Sequence, residues 1–324
     1  MSVNQRGVAL ALLAFAVFAG HDVFIKILGQ HYSPFQIVFF SVLLSFPLAT
    51  LMILRDPTRD TLLPRHPWWV AIRTVAAVIT AFCAFYAFSV LPLAQVYAIL
   101  FASPLLVTVL SIPILGERVR LQRWAAVIVG LVGVIVVLRP GSTDLTLGHL
   151  AALIAAVASA LASVIIRRIG KEERAAVILI YPLVANFVVM GSALPFVYQP
   201  MPGLHFLMLA VIAAMAWTAA RLIVVAYRDA DAVLVAPMQY SQIIWASLYG
   251  LIFFDEGLDA PTVLGAAIII ASGVFILFRE SRASVHRPNL ETRTRAGTPG
   301  VPRVSGMMGL PGRGGLRGAA PPRD

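Results

Sequence analysis

The sequence predicts an all-α integral membrane protein whose ten transmembrane helices form two five-helix repeats of opposite orientation. Three observations predict this fold. The chain has 324 residues, of which 60% are hydrophobic and 12% are charged, and this composition lies outside the range of soluble proteins. Ten apolar runs, each close to the ~20 residues that span a bilayer, follow one another before residue 280. A weak duplication relates the two halves of the chain.

The breaks between the apolar runs carry turn residues. Examples are Asp56-Pro57, Arg139-Pro140-Gly141 and Pro202-Gly203, where proline lacks a backbone donor and glycine accepts left-handed backbone. The predicted spans are residues 7–28, 34–54, 68–90, 93–114, 121–138, 148–166, 176–198, 204–226, 232–254 and 260–278.

Positive charge is distributed unevenly over the connecting loops. If the N-terminus is cytoplasmic, the inner loops before residue 279 hold twelve Lys and Arg residues, and the outer loops hold only Arg139. Cytoplasmic loops retain Lys and Arg. We therefore expect a multi-pass protein of the inner (plasma) membrane with both termini in the cytoplasm, which also requires an even number of spans.

The C-terminal segment differs in composition from the rest of the chain. It is rich in Gly, Pro and Arg and carries most of the net charge of +10. Such a segment buries too little apolar area to offset its ordering entropy. The predicted domains are residues 1–140 (spans one to five), residues 141–280 (spans six to ten) and a disordered basic cytoplasmic tail, residues 281–324. The tail is either simply solvated or weakly attracted to anionic lipid, and no nucleic-acid partner is expected.

Two segments 139 residues apart end in the same way. Leu115-Gly116-Glu117 closes span four, and Phe254-Asp255-Glu256 closes span nine. Five spans per half is an odd number, so the second half must enter the membrane inverted, which places Glu117 in the cytoplasm and Glu256 outside. Glutamates on opposite sides exclude a catalytic pair, and we expect each to cap or orient the helix that follows. Inverted repeats around a midplane site are typical of secondary transporters.

The motifs resemble the ten-helix EamA-domain family of the drug/metabolite transporter (DMT) superfamily. This resemblance covers about residues 7–280 and implies two EamA repeats that transport small metabolites without ATP. Span two departs from it, because Phe40-Ser41 stands where such proteins often carry an arginine, and that residue's anchoring role cannot be carried over. The segments that carry the resemblance are residues 226–232 (AYRDADA), 236–240 (APMQY), Trp245, 254–256 (FDE), 115–117 (LGE) and Ser103-Pro104.

Span one carries the densest cluster of polar residues, His21, Asp22 and Lys26. A charge inside a bilayer costs ~2.5–3.5 kcal/mol, so each needs a partner, a wet cavity or a nearby interface. Asp22 and Lys26 lie on one helical face and can pair. In one interpretation Lys26 reaches the outer surface and Asp22 is its structural partner. In the other, Asp22 or His21 contacts substrate or binds a coupling proton, because imidazole changes charge near neutral pH.

Two arginines lie within their spans. Arg73 is expected to reach back to the cytoplasmic surface. Arg221 follows Trp217 and either does the same or faces the cavity, where it would bind a carboxylate or phosphate.

Uncharged polar and aromatic side chains mark spans three, four and nine. A polar amide facing lipid would lack a hydrogen-bond partner, so we expect these side chains to face inward. They either contact substrate or join helices to one another. The candidates are Tyr86, Gln95, Tyr97, Gln239, Tyr240, Gln242 and Trp245.

The function predicted from these observations is secondary transport of small metabolites, such as amino acids or related amphipathic compounds, by alternating access. Export is favoured by analogy with the family, and proton coupling is one option; the alternatives are a lipid-linked substrate translocase and a non-transporting scaffold. No enzymatic activity, metal or cofactor is expected, because the chain has no His-Glu-x-x-His, Gly-x-Ser-x-Gly or Walker glycine motif. The predicted cavity is formed by spans one, three, four, six, eight and nine, with Ser159 and Ser163 in span six. Small residues in spans five and ten serve packing within the chain or a homodimer.

Overall fold

Twelve α-helices and one short 3₁₀ helix dominate the residues that the computed structural model describes, which are 3–54, 61–117, 119, 121–140, 145–170, 172–230 and 232–285. The predicted tail lies outside these residues from 286 onward. The helices are α1 (Val3–Gly29), α2 (Pro34–Leu54), α3 (Pro67–Val90), α4 (Leu93–Leu100), α5 (Ser103–Leu115), α6 (Leu121–Leu138), α7 (Leu147–Ile169), α8 (Ala175–Val197), α9 (Gly203–Asp229), α10 (Ala232–Val235), the 3₁₀ helix Ala236–Tyr240, α11 (Ser241–Phe254) and α12 (Ala260–Val285).

Most of these helices have the length and composition of membrane spans. Seven segments of the described chain are long and apolar enough to cross a bilayer, and Pro34–Pro47 and Ala260–Ile276 are shorter apolar helices. Each predicted span coincides with one helix or with two or three consecutive helices; most ends agree to within a few residues, and α12 extends seven residues beyond its predicted end. The prediction of an all-helical, multi-pass membrane protein is confirmed.

Predicted spans four and nine are not continuous helices. In span four α4 ends at Leu100 and α5 begins at Ser103, because Pro104 has no N–H to donate to the Leu100 carbonyl and disfavours helical backbone before it. In span nine the 3₁₀ helix that contains Pro237 separates α10 from α11. Both breaks lie within the membrane-spanning region, where irregular backbone is tolerated if it lines a cavity or is buried in protein.

Spans four and nine also end alike. Gly116 (φ 70°) and Asp255 (φ 55°) adopt left-handed backbone. The following residues donate backwards over six positions, from the Glu117 N–H to the Ser111 carbonyl (3.4 Å) and from the Glu256 N–H to the Gly250 carbonyl (3.0 Å). A residue with left-handed backbone at the end of a helix is a common C-terminal cap. Each cap directs a glutamate away from the end of its helix.

The most extensive helix–helix interfaces join helices that are not adjacent in the sequence. Helix α1 packs along α9, α3 along α7, and α2 along α8. The main core contains large apolar side chains that are fully buried, among them Ile25 of α1, Leu93 and Ile99 of α4, and Leu209 of α9. The core thus combines helices from both halves of the chain.

Glycines bring α6 and α12 into close contact. A Cβ atom added at Gly133 would lie 2.9 Å from the Gly265 carbonyl oxygen and 2.8 Å from the Ile269 side chain. The Ser272 hydroxyl donates to the Ala126 carbonyl across the same interface. These small-residue faces therefore serve packing within the chain, as in other close helix pairs in membranes.

Candidate functional site

A cavity of about 800 Å³ lies between helices from both halves of the chain. Its size falls within the ~300–1,000 Å³ of typical ligand pockets. The lining residues are Phe15, Phe18 and Asp22 of α1; Thr80 and Phe88 of α3; Tyr97, Leu100, Phe101, Ser103, Pro104, Val107, Thr108 and Ser111 of the α4–α5 region; Ser159, Ser163 and Arg167 of α7; Gln239 and Gln242 of span nine; and Gly273 and Ile276 of α12.

Asp22 lies at the deep end of the cavity and is only 7% exposed. The Tyr97 hydroxyl donates to its Oδ2 atom, and Nδ1 of His21 donates to Oδ1 at 2.7 Å. The Gln242 amide in turn donates to the Tyr97 oxygen at 3.4 Å. The carboxylate is thus oriented by α4 and by its own helix, with α11 supporting the phenol.

Helical spacing explains which side of α1 faces the cavity. Phe15, Phe18 and Asp22 follow one another at steps of three and four residues, so they share one face of the helix. Tyr97 belongs to the short helix α4, which ends one turn later at the break before Pro104. The break brings Phe101, Ser103 and Pro104 to the cavity wall.

Aromatic rings form a continuous wall beside the Asp22 carboxylate. Ring centroids of Phe88 and Tyr97 are 5.4 Å apart, those of Tyr97 and Phe101 are 5.9 Å apart, and Phe101 meets Tyr240 edge-on at 5.1 Å. These separations are typical of favourable aromatic pairs. The wall offers flat, polarisable surface to a ring-containing ligand.

Hydroxyl groups line the part of the cavity beyond the aromatic wall. Ser103 and Ser159 are hydrogen-bonded at 2.9 Å, and Ser163 donates to the Ser159 carbonyl at 2.8 Å. The Tyr240 hydroxyl is buried, has no hydrogen-bond partner among the described residues and lies against Gly273, which lines the cavity. The combination of apolar wall and few polar groups is typical of small-molecule sites.

An ion pair lies beyond Asp22 on α1. Lys26 forms a salt bridge with Glu256, and its Nζ atom also donates to the Leu91 carbonyl at 2.6 Å. The second oxygen of Glu256 accepts the Leu93 N–H at 3.1 Å, which is one of the free donors at the start of α4. The Lys26 and Glu256 side chains are 7% and 20% exposed. We call this contact the Lys26–Glu256 lock.

A second ion pair lies at the opposite end of the cavity. Nη2 of Arg167 contacts Oε1 of Glu117 at 2.8 Å, and the two side chains are 46% and 35% exposed. Ser163, one turn before Arg167 on α7, is exposed as well. The residues at the Arg167 end of the cavity are therefore exposed, whereas Asp22 and Lys26 at the other end are buried.

The structure corrects two expectations about charged residues. Lys26 is paired with Glu256, not with Asp22. Glu256 caps α4, which is distant in sequence, rather than the helix that follows it. Sequence spacing indicated the i, i+4 pair on α1, but the tertiary structure brings a carboxylate from the other half of the chain closer to the ammonium.

The predicted candidates in spans one, three, four and nine fall into two groups. Asp22, Tyr97, Gln239 and Gln242 line the cavity; His21 contacts it through Asp22, and Tyr240 lies directly behind Phe101. The other candidates do not line it. Gln95 contacts His149 of α7 at 3.0 Å, Trp245 stacks on Tyr249, and Tyr86 packs against the core.

Helix α9, predicted span eight, contributes none of the described lining residues, and α12 takes its place. Arg221 is exposed, with its guanidinium 4.5 Å from the centre of the Trp217 ring. It is two residues, or about 200°, away from the fully buried Ala219. Neither candidate, Trp217 nor Arg221, is among the described lining residues, because α9 turns its opposite face to α1.

Arg73 also differs from expectation. Its side chain is buried, and its Nη1 atom donates to the Ile178 carbonyl of α8. The arginine therefore joins two helices instead of reaching the surface.

Sequence reasoning missed Phe15, Phe18, Phe101 and Arg167 as lining residues. The i, i+3, i+7 spacing of Phe15, Phe18 and Asp22 was a usable signal, because it places both rings on the carboxylate's face. For Arg167 the sequence held no such signal, since its position depends on how α7 packs against α5.

Comparison with known proteins agrees with this architecture. Residues 5–139 match the EamA-like transporter family. The chain is similar to an S-adenosylmethionine uptake transporter of Rickettsia bellii (strain RML369-C), with 25% identity over 277 residues that cover 86% of this chain and 95% of the relative. It is also similar to a riboflavin transporter of Vibrio cholerae serotype O1, with 29% identity over 235 residues that cover 72% of this chain and 78% of the relative.

A protein of known crystal structure shares the fold. The two superpose with a TM-score of 0.56 at 18% identity, over 87% of this chain and 98% of that chain. The named relatives are transporters rather than enzymes. The family match covers residues 5–139 and the named transporters align through both halves, so the chain is similar to EamA-like transporters, in agreement with the predicted DMT resemblance.

Proposed function

We propose that this protein is a secondary carrier that binds a small metabolite beside Asp22 and moves it across the inner (plasma) membrane by alternating access. The observation that carries the proposal is the cavity itself. It reaches Asp22 from the Arg167 end, and the Lys26–Glu256 lock closes the other end. A one-sided cavity with polar groups at its closed end is what one state of such a carrier requires.

The helix packing supports two inverted five-helix repeats, residues 1–140 and 141–280. In this assignment α1, α2 and α3 of the first repeat correspond to α7, α8 and α9 of the second. The α1–α9 interface then corresponds to the α7–α3 interface, and α2–α8 corresponds to itself; all three are major interfaces. The matching breaks and caps also support ten spans arranged as two interlocked copies.

The two ion pairs occupy corresponding places in these repeats. Glu117 and Glu256 are 139 positions apart, and Lys26 and Arg167 are 141 positions apart. The Lys26–Glu256 pair is mostly buried, and the Arg167–Glu117 pair is partly exposed. We propose that the two pairs exchange environments during transport, so that burial of the Arg167–Glu117 pair accompanies opening of the Lys26–Glu256 lock.

Cysteine labelling tests the proposed topology. The charge distribution places the Arg167 end in the cytoplasm. With the single cysteine removed (Cys83→Ala), we expect Ser163→Cys to react with a membrane-impermeant maleimide from the cytoplasmic side only. Gln30→Cys, an exposed position after α1, is the matched control and should react from the outside only. Reaction of both positions from the same side would contradict the topology.

The names of the relatives support a ring-containing amphipathic substrate. S-adenosylmethionine and riboflavin, after which the two relatives are named, both combine a heterocycle with polar groups, which suits the aromatic wall and the serines. Amino-acid substrates and the export direction both remain predictions from the sequence. One relative is instead named for uptake. Flux of labelled S-adenosylmethionine, riboflavin and amino acids in proteoliposomes, measured in both directions, tests substrate and direction together. Saturable binding without flux would favour the scaffold or translocase alternatives.

We also propose proton coupling through Asp22. Its titratable neighbours in direct contact are His21 and Tyr97. A proton that enters from the cavity can therefore bind within this hydrogen-bonded cluster of three side chains. A pH gradient should accelerate wild-type flux and make no difference to Asp22→Asn assayed at saturating substrate. Equal wild-type rates with and without the gradient would exclude coupling to protons.

A further inference from the structure

We infer that the cavity selects a substrate that carries a positive charge beside Asp22 and an aromatic or heterocyclic body against the ring wall. This inference deepens the proposed function, because it assigns the chemical class of ligand to the same cavity. It predicts preference for a cation over an otherwise similar neutral compound, and exclusion of anions.

The charges around the cavity are unequal at its two ends. Of the described lining residues, only Asp22 and Arg167 carry a formal charge. Arg167 is at the solvent-exposed end and is paired with Glu117. At the closed end the Asp22 carboxylate accepts hydrogen bonds from a phenol and an imidazole N–H, both of which orient it without requiring a charge of their own.

The nearby cations are held by other partners. The Lys26 ammonium contacts Glu256 and the Leu91 carbonyl. The Arg73 guanidinium donates to the α8 backbone, and that of Arg221 lies on Trp217 outside the cavity. The structure therefore favours a cation-binding site at Asp22 over the expected anion-binding site at Arg221.

The rings around Asp22 favour the same class of ligand. Phe15, Phe18, Phe88, Tyr97 and Phe101 line the cavity together with the carboxylate. Aromatic faces attract organic cations through their quadrupole, and several rings around a cation form the familiar recognition of quaternary groups. A buried carboxylate is also costly without a compensating charge, and a cationic substrate supplies that charge on binding.

A pair of compounds that differ in charge tests the inference on the unmodified protein. S-adenosylmethionine carries a sulfonium; S-adenosylhomocysteine lacks one methyl group and that positive charge. We expect detergent-purified wild-type protein to bind the sulfonium compound about tenfold more tightly, a difference of about 1.4 kcal/mol. Equal affinities, tighter binding of the thioether or of neutral riboflavin, or no binding of either adenosyl compound would each overturn the inference.

Two variants locate the charge discrimination. Asp22→Asn keeps the size of the side chain and should bring the affinities of both compounds to within about threefold of each other. Tyr97→Phe removes a hydrogen bond to the carboxylate but keeps its charge and the ring, so it should still discriminate between them. Full discrimination in Asp22→Asn would contradict the assignment of Asp22. If this variant does not fold, the wild-type comparison still decides the inference.

The binding measurement and the flux measurement test the charge selectivity and the carrier proposal separately. Charge-selective binding without transport in proteoliposomes would overturn the carrier proposal and leave the acidic site in place. Transport of both adenosyl compounds at equal efficiency would leave the carrier in place and overturn the charge selectivity.

Discussion

Replacing Lys26 with Met should lower the thermal stability of the purified protein and reduce transport at least tenfold. The change leaves the Glu256 carboxylate, which is 20% exposed, without its counter-ion. Removing one partner of a buried ion pair costs about 3 kcal/mol or more, which corresponds to a fall in Tm on the order of 5–10 °C. Transport falls because the variant loses the contact that joins the end of α1 and the start of α4 to the end of α11 in the closed state. Differential scanning fluorimetry and proteoliposome flux measure the two effects.

The corresponding change at the other end is the control. Arg167→Met removes an ion pair whose side chains are 46% and 35% exposed, and such pairs contribute only ~0–1 kcal/mol. Its Tm should therefore change little. A Tm equal to wild type in Lys26→Met would exclude the Lys26–Glu256 lock as a stabilising contact.

Gly133→Leu should impair folding of the protein. Even a Cβ at this position would lie 2.9 Å from the Gly265 carbonyl oxygen, and that backbone cannot move as a side-chain end can. Overpacking a close interface costs ~1–3 kcal/mol or more, and the added isobutyl group must separate α6 from α12. We expect a lower yield of monodisperse protein and a Tm reduced by several degrees, measured by size-exclusion chromatography and thermal unfolding.

The neighbouring residue provides the matched comparison. Val132 is exposed on the outer face of α6, so Val132→Leu adds volume to the same helix without entering the interface. Its yield and Tm should match the wild type. If Gly133→Leu behaves like Val132→Leu, the α6–α12 contact is not closely packed in the membrane.

Local patterns in the sequence were sufficient to predict most helices. The helix ends depend on residues close to them in sequence, such as the proline and glycine of Pro202-Gly203. The breaks in spans four and nine were missed although Pro104 and Pro237 were visible, because the hydrophobic run continues across each proline. Hydropathy reports burial in lipid and does not report backbone continuity.

The candidate site was predictable where it depends on one helix and unpredictable where it depends on two. Composition and repeated motifs determined that this is a multi-pass membrane protein, and the cost of a charge in lipid singled out Asp22 and Lys26. The partners were decided by the tertiary structure. Packing of α1 against helices from both halves brings Tyr97 to Asp22 and Glu256 to Lys26, and packing of α9 turns Arg221 away from the cavity. Spacing along one helix fixes only which residues share a face, whereas the contacts of that face depend on helices more than seventy residues away in the chain.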